Sequence, residues 1–197
     1  MGDNLVLVDL PAGRTATTIA AGEGMTCAIL DDASLACWGY GGNGRLGSES
    51  DTNEGDDPSE VGDDLNIVDL GTGLSIIAMD VGVGTTCAIL EDPADTTNDT
   101  MKCWGKGIHG VLGNEDAEDI GSTDFSMGDY LPPVPLGSEI YPTTVEVGES
   151  FACALLNTSM VKCWGSGEFG RTGLEKTGAE GDDEGEMGDG LPFVELY

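Results

Sequence analysis

Positive charge is almost missing from this sequence. Seven Lys and Arg stand against 37 Asp and Glu in 197 residues, a formal net charge of -30. Nucleic acid and anionic membranes carry the same sign and repel such a chain, so neither is expected as a partner. Long apolar runs are missing as well. No stretch nears the roughly 18 residues that a membrane-spanning helix needs, and no basic-then-apolar leader opens the chain. Histidine is reduced to His109. With no Cys-x-x-Cys either, a zinc site is not expected. There is no Gly-x-Ser-x-Gly elbow and no Walker loop. Carboxylates are plentiful, but they sit in loops, whereas a general acid or base needs a sheltered pocket to tune its pKa. No catalytic residue is assigned. No window of ten or more residues shows a 3.6-residue apolar period, so no long helix is expected.

What is abundant is glycine, 32 of 197 residues, about twice the usual share of roughly 7%. It punctuates a repeat. Met25-Thr26-Cys27-Ala28-Ile29-Leu30, a turn, and Leu35-Ala36-Cys37-Trp38-Gly39 return as Thr86–Leu90 with Met101–Gly105, and as Ala152–Leu156 with Val161–Gly165. Cys27 to Cys87 is 60 residues and Cys87 to Cys153 is 66, whereas Cys37 to Cys103 is 66 and Cys103 to Cys163 is 60. The six extra residues therefore fall in the second hairpin, within Glu91–Thr100. A second landmark, Met1-Gly2-Asp3-Asn4-Leu5, returns at Val61, Met127 and Met187. The repeats are 1–60, 61–126 and 127–186, and 187–197 opens a fourth. Met1 holds the place of Met127 and Met187. It reads as a repeat residue rather than an initiator, and the chain as a window from a longer one.

Each unit reads as four short strand-like pieces bounded by Gly, Asp or Pro. In the first unit these are Asn4–Leu10, Ala16–Ala20, Met25–Leu30 and Leu35–Trp38. Four strands per repeat point to an all-β chain of four-stranded antiparallel propeller blades, here three of them and so an incomplete ring. The pattern Cys-Ala-Ile/Leu-Leu, turn, Cys-Trp-Gly, followed by Gly41-Gly42-Asn43-Gly44-Arg45-Leu46-Gly47, resembles the repeat of the regulator of chromosome condensation family. Gly107–Gly113 and Gly167–Gly173 match it too. The resemblance implies a seven-bladed propeller in the intact protein. It also implies, as one function, guanine-nucleotide exchange on a small GTPase with docking on chromatin.

The six cysteines form three pairs across hairpins. Directly opposed Cα atoms approach to about 4.5–5.5 Å, which a disulfide tolerates. Cys27–Cys37, Cys87–Cys103 and Cys153–Cys163 are the expected bonds, with buried free thiols as the alternative. Bonding places the chain in an extracytoplasmic compartment: secreted, on a cell surface or in an organelle lumen. Asn98 and Asn157 head glycosylation acceptor triplets at two hairpin tips. Gly39–Gly44 and its two copies match Gly-x-Gly-x-x-Gly. They precede no helix, so they read as structural turns rather than phosphate cradles. His109 falls on the same turn. Trp38, Trp104 and Trp164 are expected between blades, with their N–H groups on backbone acceptors.

Three equal-length acidic stretches, 48–61, 114–127 and 174–187, share a glycine in register at Gly55, Gly121 and Gly181. Constant length with a fixed glycine implies an ordered loop. Asp51, Asn53, Asp56 and Asp57, with Asp182, Asp183 and Glu184, offer hard oxygen ligands for calcium, the one cofactor considered, although EF-hand spacing is absent. Glu118 and Asp119 are the candidate contacts of the middle loop. The expected function is a non-enzymatic protein-interaction or scaffold module, its acidic loops facing a basic partner or calcium within a larger assembly. The exchange-factor reading and an enzyme using loop carboxylates are the alternatives.

Overall fold

The computed structural model describes residues 7–93 and 95–195; the side chains of residues 95–98 are not among those described. No α-helix occurs among these residues. Strands β1 (Ala16–Ala21), β2 (Met25–Leu30) and β3 (Leu35–Gly39) make the first sheet, and β4 (Ser75–Val81), β5 (Thr85–Asp92) and β6 (Asp95–Gly105) the second. The third comprises β7 (Pro142–Val147), β8 (Phe151–Leu156), β9 (Val161–Ser166) and β10 (Ala179–Glu180). All pairings are antiparallel and in sequence order. These are propeller blades.

The hairpin register follows from the turn. Leu30 N donates to Ser34 O at 2.8 Å, with Ala33 in the left-handed region at φ 63°. Leu156 N donates to Met160 O, with Ser159 at φ 64°. A short loop with one left-handed residue pins the pairing. Cys27 then faces Cys37, Cys87 faces Cys103 and Cys153 faces Cys163. All three pairs are disulfide-bonded, with Cα atoms 4.0–4.1 Å apart. In the second blade the inserted residues do not form a loose tip. The ladder continues to an Asp92–Asp95 pair, so Asn98 belongs to a strand rather than to a turn. Its side chain lies outside the described residues.

The expected first strand is where sequence and structure part. The copies of Asn4–Leu10 do not begin a blade. Residues 1–6 lie outside the described set, and the copies run along the outer edge of the preceding blade. Ile67 bridges Ala36, and Val68 N donates to Leu35 O at 2.8 Å. Val134 N reaches Met101 O and Val194 N reaches Val161 O in the same way. The fourth edge of each blade is thus shared by this segment and by the acidic loop, which bridges Gly39 at Glu54 and Gly105 at Ile120, and pairs with Gly165 and Ser166 through β10. Alternating apolar residues specify an extended segment but not its partner.

Blades pack face to face. Cys27, Ile29, Leu35, Cys37 and Leu46 of the first blade meet Met79, Val81, Ala88, Leu90 and Trp104 of the second. Cys87, Ile89, Met101, Cys103 and Leu112 meet Val145, Ala154, Leu156 and Trp164 of the third. Trp104 and Trp164 are fully buried. Their Nε1 atoms donate across the interface to Arg45 O at 3.2 Å and Val111 O at 2.9 Å. Burying such a ring removes about 200 Å² from water, an upper estimate of about 5 kcal/mol each. Two buried lysines fasten the outer rim. Lys102 Nζ donates to Leu70 O and Gly128 O, both at 2.9 Å, and Lys162 Nζ to Leu136 O and Gly188 O. Burial pushes both ammonium pKa values down, and Asp129 and Asp69 near Lys102, with Asp189 near Lys162, work against it.

Candidate functional site

The acidic loops line one rim of the three blades, and their order comes from their own carboxylates. Each loop opens on a glutamate in the left-handed region: Glu49 (φ 54°), Glu115 (φ 61°) and Glu175 (φ 56°). Glu49 Oε1 accepts hydrogen bonds from Ser126 N at 3.0 Å and Met127 N at 3.2 Å of the next acidic loop. Glu115 Oε1 accepts from Gly185 N at 2.9 Å and Met187 N at 3.1 Å. The closing glutamates cap their own loops. Glu60 Oε2 takes Gly55 N and Asp57 N, and Glu186 Oε2 takes Gly181 N, Asp182 N and Asp183 N. Burial acts to raise the pKa of Glu186, but these backbone donors outweigh it and hold the carboxyl below its usual range. None of these capping roles was foreseen. The available signal was a glutamate two residues after Gly47, Gly113 and Gly173 in every unit.

Neighbouring loops touch. A side-chain carbon on Gly44 would run into Gly121 and Ser122, and one on Gly110 into Gly181 and Asp182. Only glycine permits this approach of backbone to backbone. Asn43 and His109 beside them adopt φ near 60°, which confirms His109 as a turn residue. Asp119, expected as a partner contact, serves this joint. Its Oδ1 accepts Gly107 N at 2.9 Å and its Oδ2 accepts Asn43 Nδ2 of the preceding repeat at 2.7 Å. Glu118 stands exposed beside it.

The residues considered for calcium are held by the loop in the same manner. Asp51 Oδ1 accepts Gly44 N, Asn53 Oδ1 accepts Gly41 N, and Asn53 Nδ2 donates to Asp56 Oδ2 at 3.1 Å. Asp57 caps the turn Pro58–Glu60, taking Ser59 N at 3.0 Å and Ser59 Oγ at 2.7 Å, which draws its pKa down. Asp182 is moved up by burial and by Glu186 and Asp183. Asp183 and Glu184 point outward. Among the described residues no three His, Cys, Asp or Glu side chains converge as a metal cluster. Amide donors take one oxygen each of Asp51, Asn53, Asp56 and Asp57. Asn157 is exposed at the third hairpin tip, its Oδ1 accepting Tyr141 N.

Most of the few cations are engaged, and Lys176 lies within the third acidic loop itself. Arg45 is buried on Gly42 O, Glu23 O, Asn43 Oδ1 and the Tyr40 ring. Arg14 pairs with Asp31 and Asp32, Arg171 with Glu168, and Lys176 with Glu180. Asp51, Asp56, Asp57, Glu118, Asp183 and Glu184 are exposed on these hydrogen-bonded loops and make the rim acidic.

Comparison with known proteins agrees with this architecture. The family described as the regulator of chromosome condensation (RCC1) repeat is matched over residues 143–171. The human and mouse "E3 ubiquitin-protein ligase HERC2" are each 28% identical over 163 residues, covering 82% of this chain and 3% of theirs. Among solved structures, human WBSCR16 is similar with a TM-score of 0.65 at 17% identity, over 94% of this chain and 41% of that one. A chain in the crystal structure of Kap60 bound to yeast RCC1 (Prp20) gives 0.58 at 19% identity, over 94% of this chain and 36% of that one. Prp20p from Saccharomyces cerevisiae, whose structure was described with its binding properties to Gsp1p and histones, gives 0.53 at 18% identity, over 86% and 35%. The chain therefore spans a small part of the curated relatives and well under half of these structures.

Proposed function

In a chain built of regulator of chromosome condensation repeats, we propose that the acidic rim is a non-enzymatic recognition surface for a basic protein partner. One observation carries this reading: the loops are clamped to each other by Glu49 and Glu115, while a second set of carboxylates stays exposed and unneutralised. A rigid, single-sign surface attracts an oppositely charged partner over a distance of about one Debye length and loses nothing to loop ordering on contact. Three local disulfides support an oxidising, extracytoplasmic setting for that assembly. There, Asn157 is available as a glycosylation acceptor.

The test is binding of a labelled lysine-rich peptide, followed by fluorescence anisotropy at low and high salt. The wild type is compared with a chain in which Asp51, Asp56, Asp57, Glu118, Asp183 and Glu184 are replaced by their amides. Binding should fall with salt and in the amide variant. Binding indifferent to both would sink the proposal. A regulatory propeller for a small GTPase is the second reading. It is favoured by the fold shared with Prp20 and is decided by a nucleotide-release assay on candidate GTPases.

A further inference from the structure

Structural positions recur in all three repeats, so the residues that depart from the repeat without a structural reason stand out. Phe125 and Tyr130 are two of these. Phe125 takes the place of Ser59 and Gly185, and Tyr130 that of Asp64 and Gly190. Phe125 holds φ 62°, in the left-handed region where the third repeat uses Gly185 at φ 87°. An aromatic residue is strained there, and such strain persists only where the surroundings hold it. Phe125 is 71% exposed and Tyr130 67%. The blade does not need the Phe125 ring: a side-chain carbon built on Gly185 meets nothing within 4 Å. The two rings meet edge to face, with centroids 5.5 Å apart.

They stand over a cavity of about 350 Å³ between the first two blades, floored by Ile67 and Met127 and edged by Glu49, Asp69 and Asp129. No Lys or Arg lines it. Ser48 and Asn66 also line it.

We infer that this slot, resting on the recognition reading above, is the anchoring subsite for an arginine- or lysine-bearing peptide segment. The cationic head lies over an aromatic face, within the roughly 6 Å that a cation–π contact requires, and its stem lies along Ile67 and Met127. The carboxylate edge attracts the same cation and rejects acidic sequences.

The probe is a labelled peptide of alternating arginine and leucine, with two controls: a glutamate–leucine peptide and an uncharged serine–leucine one. Phe125→Gly and Tyr130→Gly each install the residue that the third repeat already carries. Phe125→Gly also removes the left-handed strain, so its unfolding midpoint should match or exceed the wild type. Each variant should weaken the arginine peptide about tenfold, the loss expected when an aromatic hot-spot residue is truncated. Equal binding by wild type and both variants, or no binding by wild type, overturns the slot. Equal affinity for the serine–leucine peptide overturns its cationic character. If the amide variant of the rim abolishes binding while Phe125→Gly leaves it intact, the rim stands and the slot falls. Loss with Phe125→Gly alone has the reverse meaning.

Discussion

Gly82→Ala is the sharpest check on how the blades meet. Gly82 is buried at the turn between β4 and β5, and its φ is not in the left-handed region. On backbone grounds alone, alanine there should stabilise by about 0.4–1 kcal/mol, by restricting the unfolded chain. The neighbouring blade forbids it. The added carbon would overlap Gly148 O and lie 2.8 Å from Val147 Cγ1 and 3.2 Å from Val147 O. Gly22 stands in the same relation to Gly82 O. Forcing a methyl into such a contact costs about 1–3 kcal/mol. Displacing Gly148 O also weakens its bond from Val83 N, now 3.4 Å, at about 1 kcal/mol or less. Set against the backbone gain, the net loss is about 2 kcal/mol. For a chain of this size that lowers the melting midpoint by about 4–8 °C. Gly178→Ala is the matched control, since its carbon meets nothing within 4 Å and its φ is also unexceptional. Thermal unfolding under non-reducing conditions, read by the fluorescence of Trp104 and Trp164, separates the two. If Gly82→Ala melts with the wild type and with Gly178→Ala, the blades are not in contact at this turn and the packing argument fails.

Two further outcomes follow from the geometry. Alkylation without prior reduction should label none of the six cysteines. Reduction should cost about 3 kcal/mol per bond by loop closure over sequence separations of 10, 16 and 10; six labelled thiols would refute both bonding and compartment. Acid should weaken the rim. Asp129 is held below the usual carboxylate range by the Thr72 backbone N–H and hydroxyl and by Lys102, and Asp189 likewise by Ser138 and Lys162. A depressed folded pKa gives stability that is complete above the unfolded value, near 4, and is lost as pH falls through the folded value. The stability gap between wild type and an Asp129→Asn, Asp189→Asn double variant should therefore shrink as pH is lowered from 5 to about 2; a gap independent of pH would contradict the assignment.

Much of the blade was legible because its determinants are local. A short turn between Leu30 and Leu35 places Cys27 opposite Cys37, and the tryptophan after the second cysteine needs a large apolar slot and a backbone acceptor. The first holds, and the second holds for Trp104 and Trp164, whereas Trp38 is only partly buried. What failed was long-range. The alternation in Asn4–Leu10 and in its copy near Ile67 is that of a strand, yet the partner is an edge some thirty residues earlier in the chain, Ala36 for Ile67. Nothing in a local pattern selects it. The acidic loops failed differently. Sequence counts a carboxylate as charge, whereas the structure divides the same residue type into caps and free groups. Glu49 and Asp119 are held by amide donors, and Glu118 is not. That division depends on which backbone N–H groups the fold leaves unpaired, and composition does not carry it.

The repeat makes the division readable after the fact, because each interface is written more than once. Ile19, Met79 and Val145 occupy one register position; the latter two are 9% and 4% exposed under a preceding blade, and Ile19 is 71% exposed without one. Gly44 and Gly110 press on the next loop, while Gly170 has open space around it. Glu175 keeps the left-handed conformation of Glu49 and Glu115, yet among the described residues it caps no amide. Three unrelated contacts therefore stop at the same two planes, the outer faces of the first and third blades. A further blade in register would place its loop amides on Glu175 and its Trp N–H on Arg171 O, just as Trp104 meets Arg45 and Trp164 meets Val111. Ile19 is exposed where a blade in register would pack, in the position that Met79 and Val145 bury. Phe125 and Tyr130 differ: they are exposed in the middle of the array, where the neighbouring blades are already in place.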